Sequence, residues 1–300
     1  MKITNQINMI LTLVGMALVS QVSYAICPHA PNAVEGLQEF TEALAENAPN
    51  KVFKISSKSD PRTKDIVTNT GTITSVPDGS FSSLVENNTG FGTAMALSPE
   101  FGLGSIHVAN ALAGGSSKKL SVEIGQVIYI HFRPGGSSGN DFDLPSQKAI
   151  IVDKGVVGND GKDWVLFKFV TPVDSVKAPV ISFDKPLPNE KVLLVGYSVN
   201  EVKKNCGFKN INAQMGRIQS AGAGEGEYFV SGEAAAGMSG CGGYEISADQ
   251  LKLQLFCVAS GDGTTKTVSI RSIAKQMKPE ISKKLYESLK AAYAKQAANM

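Results

Sequence analysis

Histidine is scarce in this chain, with 3 in 300 residues, and the last of them is His131. A nucleophile in the C-terminal half must therefore take its base from His29, His107 or His131. Cysteine is also rare, at 4 residues, and neither CxxC nor HExxH occurs, so the usual zinc spacings are absent. Charge of one sign is missing too: 29 Lys and Arg face 27 Asp and Glu. That balance gives no reason to expect nucleic acid or an anionic membrane as partner. Beyond the N-terminal segment no apolar run approaches the ~18 residues of a membrane helix. There is no internal repeat and no low-complexity tract.

The N-terminus has a character of its own. Lys2 is followed by an apolar run over residues 10–19, broken only by Thr12 and Gly15, and then by Ser23-Tyr24-Ala25. This is the pattern of a secretory signal with cleavage near residue 25, too short to be a stable span. Tyr24 and Ile26 argue against lipidation at Cys27. The expected protein is secreted or periplasmic and makes no membrane contact after signal cleavage. Export permits disulfides among Cys27, Cys206, Cys241 and Cys257. If the segments 244–246 and 251–253 form a hairpin centred on position 249, Cys241 and Cys257 face each other, which leaves Cys27 with Cys206. A one-residue bulge would break that register.

In the mature chain, residues 33–48 read as a helix, with Val34, Leu37, Phe40, Thr41, Leu44 and Ala48 near one face. From residue 52 to about 270 the pattern changes. Short runs rich in Val, Ile, Leu and Phe, such as 92–97, 127–132, 149–152, 164–170, 192–197, 228–230 and 253–259, are separated by Gly, Asn, Asp, Ser and Pro. That spacing predicts an all-β sandwich or barrel. A proline-rich stretch over 171–188 could bridge two halves of similar size. Helical pattern returns near Ser272. Pro279-Glu280 suits a helix start, and Ile281, Leu285, Leu289, Ala292 and Tyr293 form a stripe that would dock on the β core.

Three groups carry chemistry. Ser239 sits in Gly237-Met238-Ser239-Gly240, a glycine-dense turn whose backbone can aim amides into a small volume. Acyl transfer needs such donors for its oxyanion, and the N–H groups of Gly237 and Ser239 are the natural pair. His107 follows a strand-turn-strand pattern, Gly92-Thr93-Ala94 through Gly104-Ser105-Ile106, and precedes a short helical turn. Asp163 stands at the edge of the apolar run Trp164-Val165-Leu166-Phe167, where a partly buried carboxylate can fix an imidazole tautomer. Asp141, Asp143, Asp153 and Asp160 compete for that role but read as turn or surface carboxylates. His29 lies near the new N-terminus and His131 on a strand. An α/β-hydrolase would place its histidine after the serine and would need GxSxG, which Cys241 interrupts. A subtilisin-like order through Asp60 or Asp65 fits poorly with a β-rich pattern. A cysteine nucleophile at Cys241 would leave Ser239 unexplained.

The order His107, Asp163, Ser239 and the blocks around each resemble trypsin-like serine peptidases, particularly bacterial ones of the HtrA and glutamyl-endopeptidase kind. Gly92-Thr93-Ala94 with Ser105-Ile106-His107-Val108 is similar to the family's histidine block. Asp163-Trp164-Val165-Leu166 is similar to its aspartate block, and Gly237-Met238-Ser239-Gly240 to its serine block. The resemblance covers roughly residues 89–273 and implies two six-stranded antiparallel β-barrels, with N- and C-terminal helices flanking them. The expected organisation is a signal (1–25), a helical segment (26–50), the double barrel (51–275, divided near 171–188) and a C-terminal helix (276–300).

The implied activity is hydrolysis of protein or peptide substrates without metal or organic cofactor. Glu233, six residues before the serine, would line the substrate pocket and favour Lys or Arg, and Ser260 would stand in another wall. The sequence also departs from the family. Cys241-Gly242 replaces Gly-Pro, Ser105-Ile106 replaces a small pair, Met238 replaces the acid that pairs with a new N-terminus, and no PDZ-like segment follows. The alternative left open is an inactive homologue acting as a secreted binding protein.

Overall fold

A computed structural model describes residues 52–55, 60–75, 77, 91–116, 119–132, 146–199, 211–232, 234–261 and 263–298. The signal segment, the expected 33–48 helix, Cys27, Cys206, His29, Asp141, Asp143 and Glu233 lie outside the described residues.

Apolar strands separated by turn residues form two closed barrels. The first joins β2 (Thr70–Thr74), β3 (Gly92–Ala96), β4 (Phe101–Gly104), β7 (Val165–Phe169), β6 (Gln147–Lys154) and β5 (Val127–Phe132) in that spatial order. The second joins β9 (Ile211–Ala221), β10 (Glu227–Ser231), β13 (Thr264–Ser269), β12 (Leu251–Gly261), β11 (Gly242–Ile246) and β8 (Lys191–Gly196), and β8 pairs back onto β9 to close it. All these pairings are antiparallel. Strand β1 (Val52–Ile55) adds to the outside of β9. The chain crosses from one barrel to the other between Phe169 and Lys191.

Many strands are apolar on both faces, and the packing explains why. Along β7, Val165, Phe167 and Phe169 fill the first barrel, while Leu166 and the preceding Trp164 point the other way. On β8, Val192 and Leu194 fill the second barrel, while Leu193 and Val195 join Trp164 and Leu166. The outward set forms a third core shared with the C-terminal helices. Strands buried on both sides read as continuous apolar runs rather than as alternation.

Helix α1 (Lys64–Asn69) precedes β2, and α2 (Ile106–Leu112) follows β4. After β13 the chain turns helical at Ile270. Ser269 caps α3 (Ile270–Gln276) by accepting from the Ser272 amide, as a serine N-cap should. Helix α4 (Pro279–Ala298) then starts at the expected proline. Leu285, Leu289 and Ala292 of its predicted stripe are buried in the shared core, Ile281 is partly buried against it, and Tyr293 lies at its edge with its hydroxyl on the Pro179 carbonyl at 2.7 Å. No helix among the described residues is long and apolar enough to cross a membrane.

Cys241 and Cys257 form a disulfide with Cα atoms 5.1 Å apart. The hairpin reaches this pairing by two offsets that cancel. At the turn Ile246 faces Leu251, a register centred half a residue below position 249. A shift between Gly243 and Tyr244 leaves Gln254 as the extra residue of β12, and beyond it Gly242 faces Phe256. The bulge therefore restores the register that brings the cysteines together instead of breaking it.

Phe167 is fully buried, and Gly102 of β4 leaves room for its ring: a Cβ there would lie 2.4 Å from Cε2. Phe167→Ala should cost about 3–5 kcal/mol, read as a lowered denaturation midpoint at unchanged m. A loss below about 1 kcal/mol would contradict a packed barrel interior.

Candidate active site

Helix α2 packs its apolar residues into the core of the first barrel. Ile106, Val108 and Ala109 point into the barrel core, which turns His107 outward with its side chain 40% exposed. Asp163 follows a 3-10 turn over Asp160–Lys162 and immediately precedes buried Trp164; its own side chain is 7% exposed. The two side chains meet, with His107 Nδ1 2.5 Å from Asp163 Oδ2. Asp163 Oδ1 also accepts from the His107 backbone amide at 3.0 Å and from Ser105 Oγ at 2.8 Å. Burial, the largest single influence on His107, pushes its pKa down. The Asp163 hydrogen bond and charge, helped by the charge of Asp160, outweigh it and hold the imidazole above its ordinary 6.5.

The loop that carries Asp163 is clamped from the far end of the chain. Gln276, the last residue of α3, accepts from Trp164 Nε1 at 2.9 Å and donates to the Gly161 carbonyl at 2.9 Å. Lys266 of β13 reaches Asp160 at 2.7 Å, an exposed pair worth little by itself.

Ser239 lies in the turn between β10 and β11. Gly237 and Gly240 adopt φ of 94° and 92°, a region that favours glycine. Gly240 also packs directly on the first barrel, since a Cβ there would lie 2.1 Å from the Thr93 carbonyl oxygen. Thr93 fastens the same turn twice: its amide donates to the Ser239 carbonyl and its hydroxyl to the Gly237 carbonyl, both at 2.9 Å. Gly92 lies between Val108, the neighbour of His107, and the Ser239 carbonyl; a Cβ added there would be 2.8 Å from one and 3.1 Å from the other. The turn is thus seated against the strand and helix start that hold His107. The imidazole bonds to Asp163 and Ser105, and no hydrogen bond joins it to Ser239 Oγ.

Amides along the turn divide into two groups. Met238 donates to the Ala235 carbonyl, Gly240 to that of Cys257, and Cys241 to that of Met238. The amides of Gly237 and Ser239 donate to no acceptor among the described residues. Beside Ser239 is a cavity of about 40 Å³ lined by Ala234, Ala235, Ala236, Met238, Cys257, Val258 and Thr265. Ser260 pairs with Thr265 through the β12–β13 ladder, and its side chain lies outside the described residues, as does all of Glu233.

The competing acids among the described residues are occupied elsewhere: Asp160 meets Lys266, and Asp153, expected as a turn or surface carboxylate, is instead buried on β6. Asp153 accepts from the Lys278 and Lys154 amides, Asp60 holds Arg62, and Asp65 pairs with Lys177. His131 is buried on β5 with Nε2 3.0 Å from Thr74 Oγ1. Among the described residues no cluster of three His, Cys, Asp or Glu side chains could hold a metal ion. Thr93 and Ser105 belong to the histidine block of the sequence, but nothing in that block shows their bonds to the serine turn and to Asp163. A strand residue that also bonds across to another barrel leaves no periodic trace.

No family model and no curated protein matches the chain. Solved structures do. A Glu endopeptidase in complex with MPD aligns at TM-score 0.52 and 11% identity, covering 76% of this chain and 95% of that one. The Rv3671c protease in an inactive form aligns at TM-score 0.47 and 13% identity, over 72% and 90% of the two chains. Two closed six-stranded antiparallel barrels, together with the first of these alignments, define the class: the chain has the chymotrypsin-like fold of trypsin-like serine peptidases.

In an NMR titration the His107 imidazole should titrate above 6.5. Asp163→Asn removes the charge and leaves burial's downward push, so His107 should then titrate below the unsubstituted protein. Equal midpoints in the two proteins would contradict the assigned coupling.

Proposed function

We propose that the protein is a secreted serine endopeptidase, with residues 1–25 as signal and 51–275 as the double-barrel peptidase domain. In this reading His107 takes the proton of Ser239 Oγ, and the oxygen attacks a peptide carbonyl. The amides of Gly237 and Ser239 receive the oxyanion, a contribution worth about 3–4 kcal/mol per donor in other acyl-transfer sites. Asp163 stabilises the imidazolium, which then protonates the leaving amine, and water resolves the acyl-enzyme. The proton and the electron pair are accounted for without a metal or organic cofactor.

The observation that carries this reading is the seating of the Ser239 turn, with two amides that donate to no acceptor among the described residues, against the strand and helix that present the Asp163–His107 pair. The peptidase fold supports it independently. The described lining of the cavity carries no charged side chain, and Glu233, the acid that would impose a Lys or Arg preference, lies outside the described residues.

Labelling with a serine-reactive phosphonate tests the proposal. The folded protein should label and cleave a denatured substrate, and Ser239→Ala should abolish both. Folded protein that does neither would sink the peptidase reading and favour a binding role. Profiling on a peptide library should show cleavage after Lys or Arg if Glu233 determines the pocket; a preference for acidic or bulky apolar residues would reject that role.

A further inference from the structure

We infer that Ser105 is a positioning residue of this site, whose hydroxyl holds the Asp163 carboxylate and the His107 imidazole in their working orientation. The inference rests on the reading of Asp163 and His107 as acid and base. Ser105 is fully buried and stands at the N-cap of α2. Serine there ordinarily accepts from an amide of the first helical turn, yet its side chain makes no such bond. Instead Asp163 Oδ1 accepts from the His107 amide at 3.0 Å, so a carboxylate from another loop performs the cap. Ser105 Oγ is turned to the carboxylate, 2.8 Å from Oδ1, and is 2.7 Å from His107 Nδ1.

The proton count fixes the directions. His107 carries one proton on Nδ1, and Asp163 Oδ2 at 2.5 Å takes it. Ser105 has one hydroxyl proton, and Oδ1 takes that. The lone pairs of Ser105 Oγ remain turned toward Nδ1–H as a secondary acceptor. The hydroxyl thus fixes both the tautomer of the ring and the rotation of the carboxylate. The serine turn closes over the same residue, since a Cβ on Gly240 would lie 3.2 Å from the Ser105 amide nitrogen. A small pair before the histidine would leave Oδ1 with the backbone amide alone, so the departure in the sequence has a chemical content.

The test uses Ser105→Ala and Ser105→Cys in the full chain. The thiol keeps the shape with a weak donor. Loss of the hydroxyl frees the Asp163 carboxylate to turn away from Nδ1, which weakens the hydrogen bond and charge that hold His107 up, so its pKa falls back. Ser105→Ala should lower kcat about tenfold with KM nearly unchanged, and the acid limb of the pH profile should move down. Ser105→Cys should fall between Ser105→Ala and the unsubstituted protein, and it carries the measurement if the alanine variant does not fold. A pH profile that superimposes on that of the unsubstituted protein, or moves up, overturns the role of Ser105 while leaving the peptidase reading intact. NMR titration of His107 with and without Ser105→Ala, both in the Ser239→Ala background, reads the same shift without turnover. A downward shift there with no turnover in the unsubstituted protein would support Ser105 as the holder of the pair and overturn the peptidase reading alone.

Discussion

Everything at the candidate site depends on how closely the second barrel's serine turn can approach the first barrel's strand β3. The contact is glycine against backbone: Gly240 leaves no room for a Cβ above the Thr93 carbonyl, and Thr93 answers with two hydrogen bonds to the turn. The Thr93 hydroxyl also accepts from the Tyr197 amide at the end of β8, so one side chain links both barrels at the point of contact. Its polar atoms are buried and satisfied, and losing a partner there would cost the desolvation of those left behind. The serine therefore sits on the most constrained part of its loop, which suits a group that must hold its geometry to a fraction of an ångström.

The charges follow the same logic on the other side of the contact. Asp163 is nearly buried, and a buried carboxylate is expensive unless its oxygens are satisfied. Here one carboxylate takes the helix amide, the serine hydroxyl and the imidazole proton. The cap of α2 and the orientation of His107 are thus a single arrangement. The outcome is an imidazole raised above its ordinary range despite burial, the sign expected when a fixed negative charge overrides desolvation.

Much of this was legible in the sequence, for identifiable reasons. The short apolar runs gave β structure because glycine, proline and Asn/Asp turns bound them at strand spacing. The runs 127–132 and 192–197 became β5 and most of β8. The His107, Asp163, Ser239 order came from the chemistry of each block and then from resemblance, not from periodicity, because the partners are far apart in the chain and local pattern cannot bring them together. What stayed hidden was long-range and local at once. Strands β2, β9 and β13, rich in Thr, Gly, Asn and Gln, carry too little apolar content to stand out, though their side chains are largely buried. The disulfide register was right for a reason the sequence did not show, since the turn offset and the Gln254 bulge cancel.

The C-terminal helices bind these parts into one unit. Gln276 satisfies the Trp164 indole and the Gly161 carbonyl on either side of Asp163, and the Lys278 amide satisfies the buried Asp153 of β6. Leu285 and Leu289 close the core that both barrels share. A first barrel folded without that segment would expose this apolar surface and leave buried polar groups unpaired, each costing about 1–3 kcal/mol. The acid that orients the imidazole is consequently held by a residue synthesised more than a hundred positions later.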